Sequence, residues 1–326
     1  MIGARGSPLS LAQSSQVREI LLSLHPELEI EIKVIKTGGD DLTKLPSGPW
    51  GVKGLFVKEI EEALLDGSID MAVHSAKDLP AELPEGLGLA AAPERSSPFD
   101  AFVSKKADTI NNLPRGARVG TSSLRRRAQL LALRPDLIIE AVRGNVDTRI
   151  GKAESGDCHA VILAAAGLLR LKGSDYPVKE ISPSLMLPAP GQGILGLEIR
   201  KDDSSLEELL FPLNHPPTRL ALAAERAFMR RLGAGCRAPA AAWARVEDGV
   251  FVMEAEAAEP DGSRVVRLKE SLADPETKKS AESLGSPENL GVSDLRSASA
   301  LGESLADGIL ARGGKEIIQR ALEAGF

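Results

Sequence analysis

Segments with the hydrophobic spacing of a helix alternate along the first half of the chain with segments that have the spacing of a strand. A helix is predicted to begin at Ser7-Pro8, because serine can cap the first turn and proline suits the first helical position. From Leu28 to Val34 apolar and charged residues alternate, which predicts a half-buried strand. The same alternation continues with a helix over Phe56 to Leu65 and with strands over Ile69 to Val73, Arg118 to Gly120, Leu137 to Val142 and Ala160 to Leu163. Strands that alternate with helices predict a mainly parallel sheet.

The pattern changes after Pro216. Thr218 to Leu232 has the spacing of an amphipathic helix, and apolar strands are predicted after it, up to about Leu268. This region is therefore predicted to be a separate α+β domain. Residues Ala273 to Ser297 are polar, which predicts a surface loop, with helix returning from about Ala298.

The composition is typical of a soluble globular protein of two or three domains. The chain has 326 residues, of which 43% are hydrophobic and 26% are charged. Its longest apolar stretches, such as Val161 to Leu169, are too short to cross a bilayer. The first residues do not have the pattern of a secretory signal. We therefore expect a cytoplasmic protein with no membrane partner.

Positive charge is concentrated in one part of an acidic chain. The formal net charge is −6, yet residues 115–152 carry nine cationic and three acidic side chains. A charge run is most often a solvated helix face. Here, however, several of the arginines follow predicted strands, beside helix N-termini, where open α/β sheets bind anionic ligands. Arginine pairs with carboxylates through two parallel hydrogen bonds, so we expect a polyanionic small molecule.

Nucleic acid is the weaker alternative for this basic segment. The acidity of the whole chain repels a polyanion of that size, and ten aromatic residues are few for stacking on bases. The chain also lacks the glycine-rich signature of a phosphate-binding loop. We therefore expect no nucleic-acid partner.

Asp78 follows a predicted buried strand and should point toward the arginines. It has two possible roles, which its spacing alone does not distinguish. The carboxylate can pair with Lys77 or an arginine, or it can stabilise a cation that forms during a reaction and move a proton.

The two cysteines are predicted to differ in chemistry. Cys236 lies in a Gly-Ala-Gly-Cys-Arg turn, where small neighbours leave the sulfur accessible and Arg237 favours the thiolate. Cys158 precedes a buried strand and is expected to be a small core residue. Two cysteines in a chain of this length do not form a disulfide framework, and no spacing resembles a zinc site, so no metal is expected.

Six segments resemble, in order, the motifs of the porphobilinogen deaminase family, also called hydroxymethylbilane synthases. The last of the six resembles the loop to which the family attaches its cofactor. Trp50-Gly-Val-Lys53 departs from the family, which usually has two glycines before the lysine, and residues 273–297 are longer than the family pattern. The matching segments are Lys53 to Glu59, Ala72 to Asp78, Val119 to Arg126, Arg143 to Asn145, Pro190 to Gly193 and Gly233 to Pro239.

The resemblance implies an enzyme that joins four porphobilinogen molecules head to tail, releases ammonia each time, and frees linear hydroxymethylbilane by adding water. The chain would grow on a dipyrromethane cofactor that is held by a thioether to Cys236. Asp78 matches the catalytic aspartate of the family, which is proposed to hold pyrrole N–H groups, stabilise the azafulvenium cation and assist proton transfers. Each pyrrole ring brings an acetate and a propionate, which explains an arginine-rich cleft.

The resemblance also assigns the residues that bind the cofactor and the substrate. Lys53 and Phe56 lie where the family has a loop over the cleft, and His74 is a weaker candidate for the site. The assigned binding residues are Arg5, Ser7, Ser75, Lys77, Thr121, Ser122, Ser123, Arg125, Arg126, Arg143, Gly144, Arg149, Arg170 and Gln192.

The implied fold is α/β, with two type II periplasmic-binding-protein-like domains flanking a cleft and a smaller α+β C-terminal domain. The expected boundaries are 1–93 plus 194–213, then 99–188, then 216–326, in a monomer. A non-catalytic protein that binds an anionic ligand is an alternative from another functional class, since the same architecture serves binding proteins.

Overall fold

The computed structural model describes residues 1–38, 57–171, 178–233, 238–272 and 291–324. None of the helices in these ranges is both long and apolar enough to cross a membrane. The strands are β1 (Ile2–Arg5), β2 (Ile32–Ile35), β3 (Met71–Ser75), β4 (Leu87–Ala91), β5 (Asp100–Val103), β6 (Arg118–Gly120), β7 (Ile138–Glu140), β8 (Ala160–Ala164), β9 (Lys179–Glu180), β10 (Leu195–Arg200), β11 (Ala240–Glu247), β12 (Val250–Ala258) and β13 (Val265–Ser271).

Helices surround these strands. Short 3₁₀ turns lie at Ala76–Asp78, Ile110–Asn112 and Phe211–Leu213, and a π turn at Leu310–Gly314 joins the last two helices. The α-helices are α1 (Pro8–Leu24), α2 (Lys58–Leu65), α3 (Leu124–Leu133), α4 (Val146–Glu154), α5 (Ala165–Arg170), α6 (Ser204–Leu210), α7 (Pro216–Leu232), α8 (Val292–Ile309) and α9 (Lys315–Glu323).

Two five-stranded sheets share one arrangement. The first sheet has the order β2-β1-β3-β10-β4 and the second has the order β7-β6-β8-β5-β9. In each, four of the five strands run in the same direction, and the strand in the fourth position runs antiparallel to both of its neighbours. The predicted mainly parallel sheet is therefore confirmed for the direction of the strands, although half of the neighbouring pairs are antiparallel. The predicted α/β class is confirmed.

The antiparallel strands come from the two places where the chain passes between the sheets. Residues 92–99 form the first crossing segment, which leads from β4 into β5. Residues 181–194 form the second crossing segment, which leads from β9 back into β10. The chain enters each sheet beside the crossing, so β5 and β10 run against the parallel strands. The strands of the first sheet therefore come from residues 2–91 and 195–200, while the exact domain boundaries stay a prediction.

The third unit is an antiparallel sheet of β11, β12 and β13 covered by α7 and α8. Phe228 of α7, Met253 of β12 and Leu305 of α8 are completely buried in the core between these layers. This confirms the predicted α+β character of the C-terminal region.

Two predicted boundaries differ from the structure by more than two residues. The strand predicted from Leu28 begins only at Ile32, and Val34 is 52% exposed, so the alternation does not mark a buried face there. The helix expected from about Ala298 is α8, which begins at Val292, six residues earlier, so the predicted polar loop is helical over residues 292–297. The Asp294 carboxylate accepts a hydrogen bond from Gly291 N (2.9 Å) and stabilises this helix start, although its exposed face has a loop-like composition.

Candidate active site

A cavity of about 990 Å³ opens where the two α/β sheets and the third unit meet. Nine of the described side chains that line it are cationic and three are acidic, so the cavity favours anions. Its volume is at the upper end of small-molecule sites. The predicted residues that line it are Arg5, Ser7, Ser75, Lys77, Asp78, Ser122, Ser123, Arg125, Arg126, Arg143, Gly144, Arg149, Arg170 and Gln192.

Strand ends position most of these side chains. Ser75 is the last residue of β3, and Lys77 and Asp78 follow in a 3₁₀ turn. Ser123 follows β6 and caps α3, where its side chain accepts a hydrogen bond from the backbone N–H of Arg126. Because the carboxyl ends of parallel strands meet at the same edge of a sheet, loops that are distant in sequence converge on the cavity.

Asp78 lies in the electrostatic field of two arginines. Burial lowers the pKa of the Arg126 and Arg149 guanidinium groups, and the negative charge of Asp78 opposes this effect in both. A carboxylate so placed can stabilise positive charge that develops on a ligand in the cavity.

Arg125 and Arg126 share one buried counter-ion, Asp100. Arg125 Nη1 lies 2.7 Å from Asp100 Oδ2, and Arg126 Nη2 lies 2.7 Å from Asp100 Oδ1. Burial by itself would raise the pKa of Asp100, but the two guanidinium groups outweigh it and hold that pKa well below its usual value. Two cations and one anion leave a net positive charge in this wall of the cavity.

Arg149 and Arg170 are held by main-chain carbonyl groups. Arg149 Nε donates to Gly144 O (2.8 Å), and Arg170 Nη2 donates across the cleft to Gly193 O (3.0 Å). Burial lowers the pKa of Arg170 to about 10. The backbone therefore fixes both guanidinium groups while their charges are left to interact with a ligand.

Five predicted site residues are not among the described residues that line the cavity. Thr121 is buried, and its hydroxyl accepts a hydrogen bond from Ser123 N (3.2 Å). His74 is also buried, with Nε2 2.9 Å from Glu198 Oε2. Cys236, Lys53 and Phe56 lie outside the described residues.

The described residues on both sides of segment 234–237 line the cavity, namely Met229 on α7 and Ala238 just before β11. Cys158 is 1% exposed, as predicted for a core residue. Burial and then the carboxylate of Glu140 raise the pKa of its thiol to about 11. Among the described residues no group of His, Cys, Asp and Glu side chains could hold a metal ion.

The cavity also contains residues that the sequence analysis missed. Lys36 follows β2 and Gln13 lies on α1, where its amide donates to Ser75 Oγ (2.8 Å). Lys36 could have been found by the same rule as the others, since it follows a predicted strand. Arg226 lies on α7 and reaches the cavity only because of how the third unit packs, so no local signal marks it.

Comparison with known protein families decides the family. The family model described as "Porphobilinogen deaminase, dipyromethane cofactor binding domain" matches residues 1–208, and the one described as "Porphobilinogen deaminase, C-terminal domain" matches residues 219–311. The chain belongs to the porphobilinogen deaminase family. The predicted family and its dipyrromethane cofactor domain are thus confirmed, and the chain is an enzyme of the transferase class.

Curated relatives carry the same name. The porphobilinogen deaminase of Nitratidesulfovibrio vulgaris is 50% identical over 269 residues, which are 82% of this chain and 84% of that one. The porphobilinogen deaminase of Thermus thermophilus is 46% identical over 98% of this chain and 97% of that one. Among solved structures, a periplasmic substrate-binding protein from Coxiella burnetii is 17% identical with a TM-score of 0.39, covering 69% of this chain and 95% of that one.

Proposed function

We propose that this chain is a hydroxymethylbilane synthase that condenses four porphobilinogen molecules, head to tail, onto a primer attached to Cys236. In each step the aminomethyl carbon of porphobilinogen loses ammonia, and a carbon of the growing chain bonds to it and then releases a proton. Water finally adds to free linear hydroxymethylbilane. The observation that carries the proposal is the position of Asp78, whose carboxylate lines the cavity and interacts electrostatically with Arg126 and Arg149.

The residues of the cavity fit a dipyrromethane cofactor. Such a cofactor supplies the pyrrole carbon on which the chain grows, together with acetate and propionate groups that need cationic partners. Arg143, Arg149 and Arg170 lie along the carboxyl ends of the second sheet, and Lys77 lies on the opposite wall. Met229 and Ala238 flank segment 234–237, which supports Cys236 as the attachment residue.

Asp78 is the residue that we assign to the chemistry. Its carboxylate would hold pyrrole N–H groups, which are hydrogen-bond donors, and stabilise the cation formed when porphobilinogen loses ammonia. It would also carry the proton that the attacking carbon releases. Arg5, Ser7, Ser75, Ser122 and Ser123 would bind ring carboxylates. The same role is proposed for Lys77, Arg125, Arg126, Arg143, Gly144, Arg149, Arg170 and Gln192; Thr121 would support the loop, and Lys53 and Phe56 would cover the cleft.

Incubation of the purified protein with porphobilinogen tests the reaction. We expect consumption of porphobilinogen, release of ammonia and formation of hydroxymethylbilane or its cyclised product. The Asp78→Asn variant should fold normally but lose about 10²-fold or more of the rate, since it removes the proposed electrostatic and proton-transfer group. Asp136→Asn, which changes an aspartate outside the cavity, is the control. Tight binding of a polycarboxylate without turnover would instead identify a binding protein.

Mass spectrometry tests the covalent attachment. The intact protein should be heavier than its sequence by one dipyrromethane, and Cys236→Ser should lack this increment and the activity. Cys158→Ser is the matched control and should keep both. An unmodified mass for an active wild-type enzyme would exclude the thioether.

A further inference from the structure

Asp100 and Gln192 join the two walls of the cavity through one hydrogen-bond network. Its members are Arg125, Arg126, Asp100, Gln192 and Lys77. Asp100 is the first residue of β5 and is 0% exposed, and Gln192 lies in the second crossing segment and is 1% exposed. The Gln192 amide nitrogen donates to Asp100 Oδ1 (3.0 Å) and to Pro98 O (2.7 Å). Neither buried side chain reacts in the proposed mechanism, so their connection needs another explanation.

At one end of this network, Asp100 fixes two guanidinium groups. Arg125 donates to it through Nη1 and Nη2, and Arg126 donates through Nε and Nη2. Both arginines also donate to main-chain carbonyl groups of the second sheet and of the second crossing segment. Because five donors converge on one carboxylate, the planes of both guanidinium groups are determined by its position.

At the other end, Gln192 reaches the first sheet. Its side-chain oxygen accepts a hydrogen bond from Lys77 Nζ (3.4 Å), and Lys77 directly precedes Asp78. Gln192 thus contacts cations of both walls, one directly and two through Asp100. A shift of its carboxamide would therefore displace hydrogen-bond partners on both sides of the cavity.

We propose that Asp100 and Gln192 are positioning residues that hold Arg125 and Arg126 in one wall at a fixed distance from Lys77 in the other. The inference rests on the proposed function, since the fixed cations would match carboxylates on successive pyrrole rings. Asp100 does not line the cavity and would act only through the two arginines, whereas Gln192 lines it and would act through Asp100 and Lys77 in addition to its binding role. Asp100 also cancels the repulsion between two adjacent buried arginines, which would otherwise separate into the cavity.

A double-mutant cycle with Asp100→Asn and Gln192→Met tests whether the two residues act through one hydrogen-bond network. Asparagine keeps the shape of Asp100 without its charge, and methionine has the length of glutamine without strong hydrogen bonds. Each single variant should lower kcat/KM about tenfold. The double variant should be no more than about twofold worse than the poorer single one, because both substitutions interrupt the same hydrogen-bond network. Losses that multiply to about a hundredfold would overturn the proposal.

Asp136→Asn is the matched control. Asp136 pairs with Arg134, between α3 and β7, through two hydrogen bonds of 2.7 Å, but neither residue lines the cavity. The control variant should keep kcat/KM within about twofold even if its stability falls. An equal loss in the control would mean that pairing matters only for folding.

A spectroscopic measurement separates this proposal from the proposed function and does not depend on turnover. In ¹H–¹⁵N spectra of arginine side chains, the Arg126 Nε–H should exchange slowly with water in the wild type, because it donates to Asp100 (2.9 Å). Gln192 has no hydrogen bond to Arg126 but shares Asp100 with it, so the Gln192→Met substitution should shift the Arg126 signal. If the signal shifts in a protein that does not consume porphobilinogen, the proposed link between Gln192 and Arg126 stands and the synthase function is rejected. If the signal is unchanged in an active enzyme, only the positioning role of Asp100 and Gln192 is rejected.

Discussion

Glu225 Oε1 of α7 lies 2.7 Å from Arg95 Nη1 of the first crossing segment, and neither side chain is more than 11% exposed. Glu225 also accepts hydrogen bonds from Ala244 N (2.9 Å) and from Gly191 N, while Arg95 Nε donates to Gln192 O (2.9 Å). One ion pair therefore ties both crossing segments to the third unit.

We expect Glu225→Gln to destabilise the protein by about 3–5 kcal/mol, because it leaves the Arg95 charge buried without its partner. Urea unfolding measures the loss. Asp307→Asn is the matched control, since Asp307 of α8 pairs with Arg231, which lies on α7 like Glu225, but both side chains are more than half exposed. That variant should cost no more than about 1 kcal/mol. Equal losses would show that the buried pair has no special role.

Gly191 carries a positive φ of 74° and leaves no room for a side chain. A Cβ atom there would lie 2.9 Å from Lys77 N and 3.0 Å from Ala76 C. Gly191→Ala should therefore displace the turn that carries Asp78, lower activity at least tenfold and cost about 1–3 kcal/mol beyond the strain of the positive φ.

Gly116→Ala separates these two effects. Gly116 has a similar φ of 72°, but nothing lies within 4 Å of the position of its Cβ. This variant should lose about 1 kcal/mol from backbone strain and keep its activity, as measured by urea unfolding and by porphobilinogen consumption. Full activity in Gly191→Ala would mean that the turn tolerates the displacement.

Cys158 should be inert toward alkylating reagents in the folded protein. Its thiol pKa is raised to about 11 by burial and by Glu140, so at pH 7.5 the thiolate is a very small fraction. Labelling with iodoacetamide should be at least tenfold slower than in urea, where the pKa returns toward about 8.5. Peptide mass spectrometry locates the label, and rapid native labelling of Cys158 would contradict its burial.

Glu61 should make stability depend on pH. Burial raises its pKa, the Glu198 carboxylate adds to the rise, and His74 opposes it. A carboxyl with a raised pKa in the folded state stabilises the protein below its unfolded pKa of about 4.3, and this contribution is lost as pH rises through the folded value.

Glu61→Gln removes this titration and should raise the melting temperature at pH 8 relative to the wild type. The difference should shrink toward pH 4, where the wild-type carboxyl is protonated. Thermal unfolding across this range measures the effect, with Glu62→Gln, an exposed neighbour on the same helix, as the control. A difference that is constant with pH would exclude Glu61 as its source.

Local signals in the sequence predicted much of the fold. Ser7 was recognisable as a helix cap, and the strand over Arg118 to Gly120 has the predicted bounds. These features depend on residues close together in the chain. The strands β1, β4, β5 and β10 have no such signal, because each is short and is stabilised mainly by pairing with strands distant in sequence.

For the site, the rule that ligands bind after strand ends selected most of the residues that line the cavity. It did not distinguish the state of each arginine. Arg125 and Arg143 both follow a predicted strand, yet the former is buried against Asp100 and the latter is exposed. Which guanidinium group has a protein counter-ion depends on a residue that lies 25 positions away from Arg125.

The sequence by itself determined the α/β alternation, the concentration of cations, the burial of Cys158 and the resemblance to one enzyme family. Each of these is carried by neighbouring residues, through periodicity, capping or motif. Only the tertiary structure decided that Asp100 joins two arginines and that Arg95 meets Glu225, 130 positions apart. The physical reason is that burial removes water as the alternative partner, so a charge must pair with whatever side chain the packing of distant segments brings to it.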